Sequence, residues 1–178
     1  MSHDIAAIRQ AIRDIPDFPK PGIIFKDIMP LLGNGQLFAR TIDIMADRYR
    51  RQKIDTVLGI ESRGFIVGAS LAYTLGAGFC AVRKPGKLPY ETHSQNYELE
   101  YGTDRLEIHI DAISHGARVV IADDLIATGG TAGATAQLVS KLGGTVVECA
   151  FVIELSFLKG REKLQPYGVF SILQYDSE

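Results

Sequence analysis

Residues 119–131 read Val-Val-Ile-Ala-Asp-Asp-Leu-Ile-Ala-Thr-Gly-Gly-Thr, and no other stretch of the chain limits its fold as tightly. An apolar run ends in two adjacent carboxylates, and a loop of small residues then opens a helix. Open α/β sheets bind ligands at the carboxyl ends of their strands. A Thr-Gly-Gly-Thr turn lets backbone N–H groups close on a phosphate, with hydroxyls and the helix N-terminus adding to the attraction. Asp123 and Asp124 would repel a phosphate they touched, so they must face something else, such as sugar hydroxyls or a metal. A phosphorylated ribose meets both demands. The competing reading is a plain strand-turn-helix with helix-capping acids, but adjacent acids directly after an apolar strand are costly to bury unpaired. A Walker nucleotide loop is excluded, because no lysine stands between the last glycine and the threonine.

The rest of the chain reads as alternating helices and strands. Ile5, Ile8, Ile12 and Ile15 predict a helix over 4–15, ended by Pro16. Asn34 can cap a second helix whose inner stripe is Leu37, Phe38, Ile42, Met45 and Tyr49. Residues 56–60 form a short apolar strand, and the loop Glu61-Ser62-Arg63-Gly64 opens the next helix, followed by a strand at 79–82. The polar stretch 83–96 is expected as a long mobile loop, a kind of segment that is usually functional. Period-two alternation over 97–101 and 106–110, around Gly102-Thr103-Asp104, predicts a hairpin. Further strands are expected at 118–122, 146–153 and 169–173, with a helix over 131–142 closed by Gly143. This order predicts an α/β fold, a mainly parallel sheet flanked by helices with a flexible hairpin lid, in a single domain over 1–178.

Composition removes several function classes. A net charge of −2 gives no broad field for nucleic acid or anionic membrane, so phosphate binding must be local. Cys80 and Cys149 sit in apolar runs and are expected as buried small hydrophobes. The four histidines make no metal-ligand spacing with them, so no structural zinc site is expected. The uncharged stretch Gly64 to Val82 is about the length of a membrane span, but Gly76 and Gly78 break it, and a buried helix followed by a strand is expected. The spacing Gly76-Ala-Gly78-Phe-Cys-Ala81 imitates a dinucleotide fingerprint in the wrong context, after a helix and before a strand. The N-terminus lacks the basic flank and apolar core of a signal peptide, and a cytoplasmic location is expected.

Asp123 to Thr131 also resembles the motif with which type I phosphoribosyltransferases bind 5-phosphoribosyl-1-pyrophosphate (PRPP). Three further segments are similar to the adenine phosphoribosyltransferases: Phe18 to Asp27, Gly59 to Phe65, and Arg83 to Pro89 together with Leu99-Glu100-Tyr101-Gly102. The resemblance implies that Asp123, Asp124, Ala127, Thr128, Gly129, Gly130 and Thr131 bind PRPP. It implies that Glu61, Ser62, Arg63 and Gly64 form a pyrophosphate loop, with Arg83 and Lys87 closing over it. It implies that Phe25 stacks on adenine while the backbone of Ile24 reads the purine edge. Glu100 would handle the purine proton with Tyr101 beside it in the lid, and Arg63 would stabilise the leaving group. Mg²⁺ bound mainly through PRPP, the products AMP and pyrophosphate, and a homodimer are implied as well. Ala122 and Ile126 depart from the larger aliphatic and the leucine expected there, and the roles of Tyr90 and His93 at the lid tip stay open. Two other functions remain: transfer to guanine or xanthine, and a regulator that senses PRPP without turnover.

Overall fold

The computed structural model describes residues 2–98 and 103–177. In chain order these form α1 (Ser2–Gln10), β1 (Arg13–Ile15), β2 (Phe25–Asp27), α2 (Met29–Gly33), α3 (Gly35–Tyr49), β3 (Thr56–Ile60), α4 (Arg63–Leu75) and β4 (Gly78–Val82). Then come β5 (Thr92–Glu98), β6 (Thr103–His109), β7 (Arg118–Ile126), α5 (Gly130–Lys141), β8 (Thr145–Leu155), a 3₁₀ turn (Ser156–Leu158), α6 (Gly160–Lys163) and β9 (Val169–Tyr175).

The five apolar runs make one sheet in the order β4-β3-β7-β8-β9, and every neighbouring pair is parallel. Parallel strands need crossovers that cover both faces, which is why these runs are apolar throughout rather than alternating. On one face α3 and α4 bury Ile42, Met45, Val67 and Leu71 against Val57 and Val120. On the other, α5 and the β5–β6 hairpin bury Leu138, Val139, Leu106 and Ile108 against Leu58 and Ile121. The strand order places a topological switch between β3 and β7: the chain leaves β3 through α4 toward β4, and leaves β7 through α5 toward β8. Such a point opens a crevice at the carboxyl ends of the two strands, where ligands bind in open α/β sheets.

Local signals account for most boundaries. The Asn34 side chain accepts a hydrogen bond from Leu37 N at 3.1 Å and starts α3. Gly76, at φ +67°, ends α4 in the left-handed region, so the glycines of the dinucleotide-like spacing are a helix cap and a strand start. Among the described residues no helix is long and apolar enough to cross a membrane.

Two expectations need correcting. The first helix stops at Gln10, and residues 13–15 pair antiparallel with β2, Arg13 opposite Asp27. The isoleucine spacing fits a helix, but the Arg13–Asp27 ion pair (2.5 Å) and the ladder to β2 favour extended chain just before Pro16. The expected loop over 83–96 is shorter, because Thr92–Glu98 is already strand, paired with Thr103–His109. The hairpin therefore reaches further toward Arg83 than its sequence alternation suggests. Thr103 and Asp104, expected in its turn, are already strand, and residues 99–102, Glu100 and Tyr101 among them, lie outside the described residues.

Candidate active site

Two loops leave the adjacent strands β3 and β7 and face each other across the switch point. The first, Glu61 to Gly64, depends on glycine for close packing. A Cβ on Gly59 would lie 2.7 Å from Gly64 O and 2.7 Å from the Phe79 ring, and one on Gly64 would lie 2.6 Å from Asp123 Oδ1. With any larger residue the loop backbone could not reach the acids of β7. Ser62, at the start of α4, is exposed.

The second loop, Ala127 to Gly130, encloses a cavity of about 110 Å³ with Thr128, Thr131 and Asp123 among its walls. Gly129 stands at φ +79°, a conformation costly for other residues, and it caps α5 so that the helix N-terminus faces the cavity. All five residues from Ala127 to Thr131 line this one space. A second cavity of about 290 Å³ joins the two loops, lined by Glu61, Ser62, Arg63, Asp123, Asp124 and Thr131, with Lys84 and Tyr97 from the opposite side.

The two acids differ sharply. Asp124 is buried and accepts a hydrogen bond from Arg63 Nε at 2.5 Å. Asp123 keeps some exposure toward the cavity, and its Oδ1 accepts from Asp124 N at 2.9 Å. Protein packed around the Asp123 carboxyl, and then the neighbouring Asp124 carboxylate, push it well above its ordinary value. The side-by-side acids of the sequence are therefore one carboxylate paired with a cation and one whose ionisation is opposed by burial and by its neighbour's charge.

Arg63 also lies over the Phe25 ring, 5.2 Å from its centroid. Phe25 begins β2, and Phe18 meets it edge-on at 5.3 Å across a turn closed by Asp17 Oδ1, which accepts from Gly22 N. Asp27 anchors the strand: its carboxylate accepts from Met29 N and from Arg13, which hold it below the usual carboxylate range. Ile24 is half-buried directly before the ring. Phe25, Arg63 and Asp124 thus form one continuous row of aromatic ring, cation and acid.

Arg83 and Lys87 fall differently. The Arg83 guanidinium donates to both Glu61 oxygens at 3.1–3.2 Å and to Lys87 O at 3.1 Å. Arg83, and then the Lys84 N–H, hold Glu61 below its ordinary value. Lys87 is exposed and is not among the residues lining either cavity. The cation of this segment that does line the larger cavity, with Arg63, is Lys84, which sequence reasoning passed over. Its ammonium donates to Tyr97 Oη at 2.9 Å and pairs with Asp104, both on the hairpin. Tyr90 stands 6.0 Å edge-on from His109, and His93 is exposed on β5.

A loop built for phosphate, an acid pair beside it and a cation-bearing loop opposite describe a site for a phosphorylated sugar with a second anionic group. Known proteins agree with that description. Residues 31–177 match the family model of the phosphoribosyl transferase domain, and the chain belongs to the phosphoribosyltransferase family. Among its relatives, the adenine phosphoribosyltransferase of Syntrophotalea carbinolica is 60% identical over 94% of this chain and 98% of its own. The crystal structure of the adenine phosphoribosyltransferase from Rhodothermus marinus superposes with a TM-score of 0.95 at 53% identity, covering 98% of this chain and all of that one. The Saccharomyces cerevisiae adenine phosphoribosyltransferase, solved with an imino-altritol bisphosphate and adenine, gives 0.92 at 44% identity over 97% and 100% of the two chains.

Proposed function

We infer that this chain transfers the 5-phosphoribosyl group of PRPP to adenine, yielding AMP and pyrophosphate. The observation that carries the reading is the crevice at the switch point, where a phosphate-type loop, two acids and a cation-bearing loop converge on joined cavities. The adenine phosphoribosyltransferase names of the relatives support the choice of base. On this reading Ala127 to Thr131 hold the 5-phosphate, Asp123 and Asp124 take the ribose hydroxyls, and Glu61 to Gly64 serve the diphosphate with Arg83 and Lys87. Phe25 stacks on the purine, which Ile24 reads through its backbone.

The bond from the anomeric carbon to pyrophosphate breaks while a purine nitrogen attacks from the opposite face, through a transition state with oxocarbenium character. Stacking on Phe25 holds the base in line, which lowers the entropic part of the barrier. Arg63 meets charge developing on the leaving group. Glu100 takes or balances the purine proton, and the hairpin carrying it excludes water.

Mg²⁺ fits as a companion of the substrate. Among the described residues no group of three or more His, Cys, Asp or Glu could cage a metal, whereas Mg²⁺ usually keeps waters and substrate phosphates and takes one or two carboxylates. Asp123 and Asp124 are the carboxylates that could approach it. When bound through PRPP it would neutralise the diphosphate as it leaves. A homodimer in the cytoplasm completes the reading.

Incubation with adenine, PRPP and Mg²⁺ should form AMP and pyrophosphate, and EDTA should stop the reaction. Guanine and xanthine serve as competing bases. Absence of AMP with intact PRPP binding would point to a sensor instead.

A further inference from the structure

Against the phosphate-type loop lies the start of α6, none of whose residues lines the loop's cavity. The contact is between backbones: a Cβ on Gly160 would lie 2.2 Å from Ala127 O and 2.9 Å from Gly129 N, and one on Gly129 would lie 2.4 Å from Gly160 O. No side chain can stand between the two strips of chain. The position of Gly160 is itself fixed by its neighbour. Arg161 Nε and Nη2 donate to the two oxygens of Glu154 at 2.9 and 2.6 Å, and Nη1 donates to Val169 O at 2.7 Å. Glu154, buried near the end of β8, also accepts from Ser171 Oγ at 2.6 Å. One carboxylate thus ties β8, α6 and β9 together, and the bidentate geometry fixes direction as well as distance.

We propose that Gly160, held by the Arg161–Glu154 pair, is a brace that sets the shape of the phosphate loop, making all three positioning residues for the phosphoribosyl donor. The proposal rests on the reading of Ala127 to Thr131 as the phosphate loop. A loop of backbone donors binds phosphate only if its N–H groups converge, and nothing inside the loop's own small side chains enforces that convergence. The rigid strip against it does. Gly160, Arg161 and Glu154 are not among the residues lining the cavity between the two loops, so the brace acts on the donor's phosphate end.

The test compares Gly160→Ala, Arg161→Lys and Gly133→Ala with the wild-type chain. Gly133 is the control: it lies in α5, where an added Cβ meets its nearest atom only at 3.8 Å. Gly160→Ala should raise the KM for PRPP by about 10–100-fold, the range a displacement of about 1 Å can cause. It should leave the KM for adenine unchanged and abolish thermal protection by ribose 5-phosphate. Arg161→Lys keeps the charge but not the bidentate grip, and should shift the same two readouts in the same direction by less. Gly133→Ala should shift neither. Should Gly160→Ala fail to fold, Arg161→Lys decides the matter. Unchanged PRPP KM in a folded variant, or equal loss for PRPP and adenine, overturns the brace. Failure of ribose 5-phosphate to protect even the wild-type chain overturns the phosphate-loop reading and the brace with it.

Discussion

Asparagine at 123 and asparagine at 124 are the same chemical change one residue apart, and the structure predicts opposite effects on stability. Asp124 is buried and paired with Arg63 at 2.5 Å. A hydrogen bond between charged groups contributes about 1.5–3 kcal/mol. The Arg63 side chain is 39% exposed, so screening trims the expected loss for Asp124→Asn to about 1–2 kcal/mol. Asp123 makes no ion pair among the described residues, and burial followed by the Asp124 charge raises its carboxyl well above the ordinary range, against a weaker pull from Arg63. A carboxyl raised on folding contributes stability that is full below its unfolded value and is lost as pH rises through the folded one. Asp123→Asn removes that loss, so the variant should be as stable as wild type at low pH and more stable at neutral pH. Both variants should nonetheless weaken PRPP, by roughly 10- to 100-fold if each loses one charged hydrogen bond to the ribose. Asp124→Asn also releases Arg63, so affinity for pyrophosphate alone should hold or tighten. Urea melts at several pH values, with calorimetric titration of PRPP and pyrophosphate, read all of these. Equal destabilisation by the two substitutions, or undiminished PRPP affinity in the double variant, would refute the division of labour.

Arg63→Ala should slow turnover in both reaction directions and weaken pyrophosphate more than AMP; equal losses for the two ligands would indicate a folding defect. Phe25→Ala should raise the KM for adenine by about tenfold or more, since stacking on an aromatic ring contributes about 1–3 kcal/mol per base, with PRPP KM unchanged. A matching rise for PRPP would mean that the ring merely supports Arg63. Glu100→Gln should leave both substrate affinities intact while single-turnover chemistry slows by roughly 10²–10⁴-fold; rates near wild type would reduce Glu100 to lid structure.

The sheet was legible because parallel strands covered on both faces must be apolar along their whole length, as Val119 to Ala122 and Cys149 to Val152 are. The phosphate-type loop was legible for a different reason: its work is done by backbone, and only small residues permit that. What the sequence hid was pairing at a distance. Ile12 and Ile15 fit a helical period, and only the ladder to residues 25–27 decides against it. Lys84 and Lys87 look equivalent in a polar stretch, and only the hairpin, which brings Tyr97 and Asp104 to one of them, separates their roles. Gly160 lies 31 positions after Gly129 and meets it only because β8 returns parallel to β7. Period and composition report which face a residue takes; they do not report which residue waits opposite.

The cations around the crevice are already matched: Arg63 to Asp124, Arg83 to Glu61, Lys84 to Asp104. This explains how a chain of net charge −2 can offer a polyanion site without a broad positive field. A free guanidinium in a half-closed crevice attracts any phosphate in solution. A matched one yields only to a ligand that replaces both halves of the pair, an anion for the cation and a hydrogen-bond donor for the released carboxylate. On the proposed reading PRPP carries both on one sugar, the diphosphate toward Arg63 and the hydroxyls toward Asp124. Inorganic phosphate in its dianionic form carries one acidic hydrogen and no second group placed to reach the acid. The exchange gives little net electrostatic gain, since one pairing replaces another, but it imposes a penalty on every incomplete ligand. Selectivity at such a site comes from what is left unpaired when the wrong molecule binds.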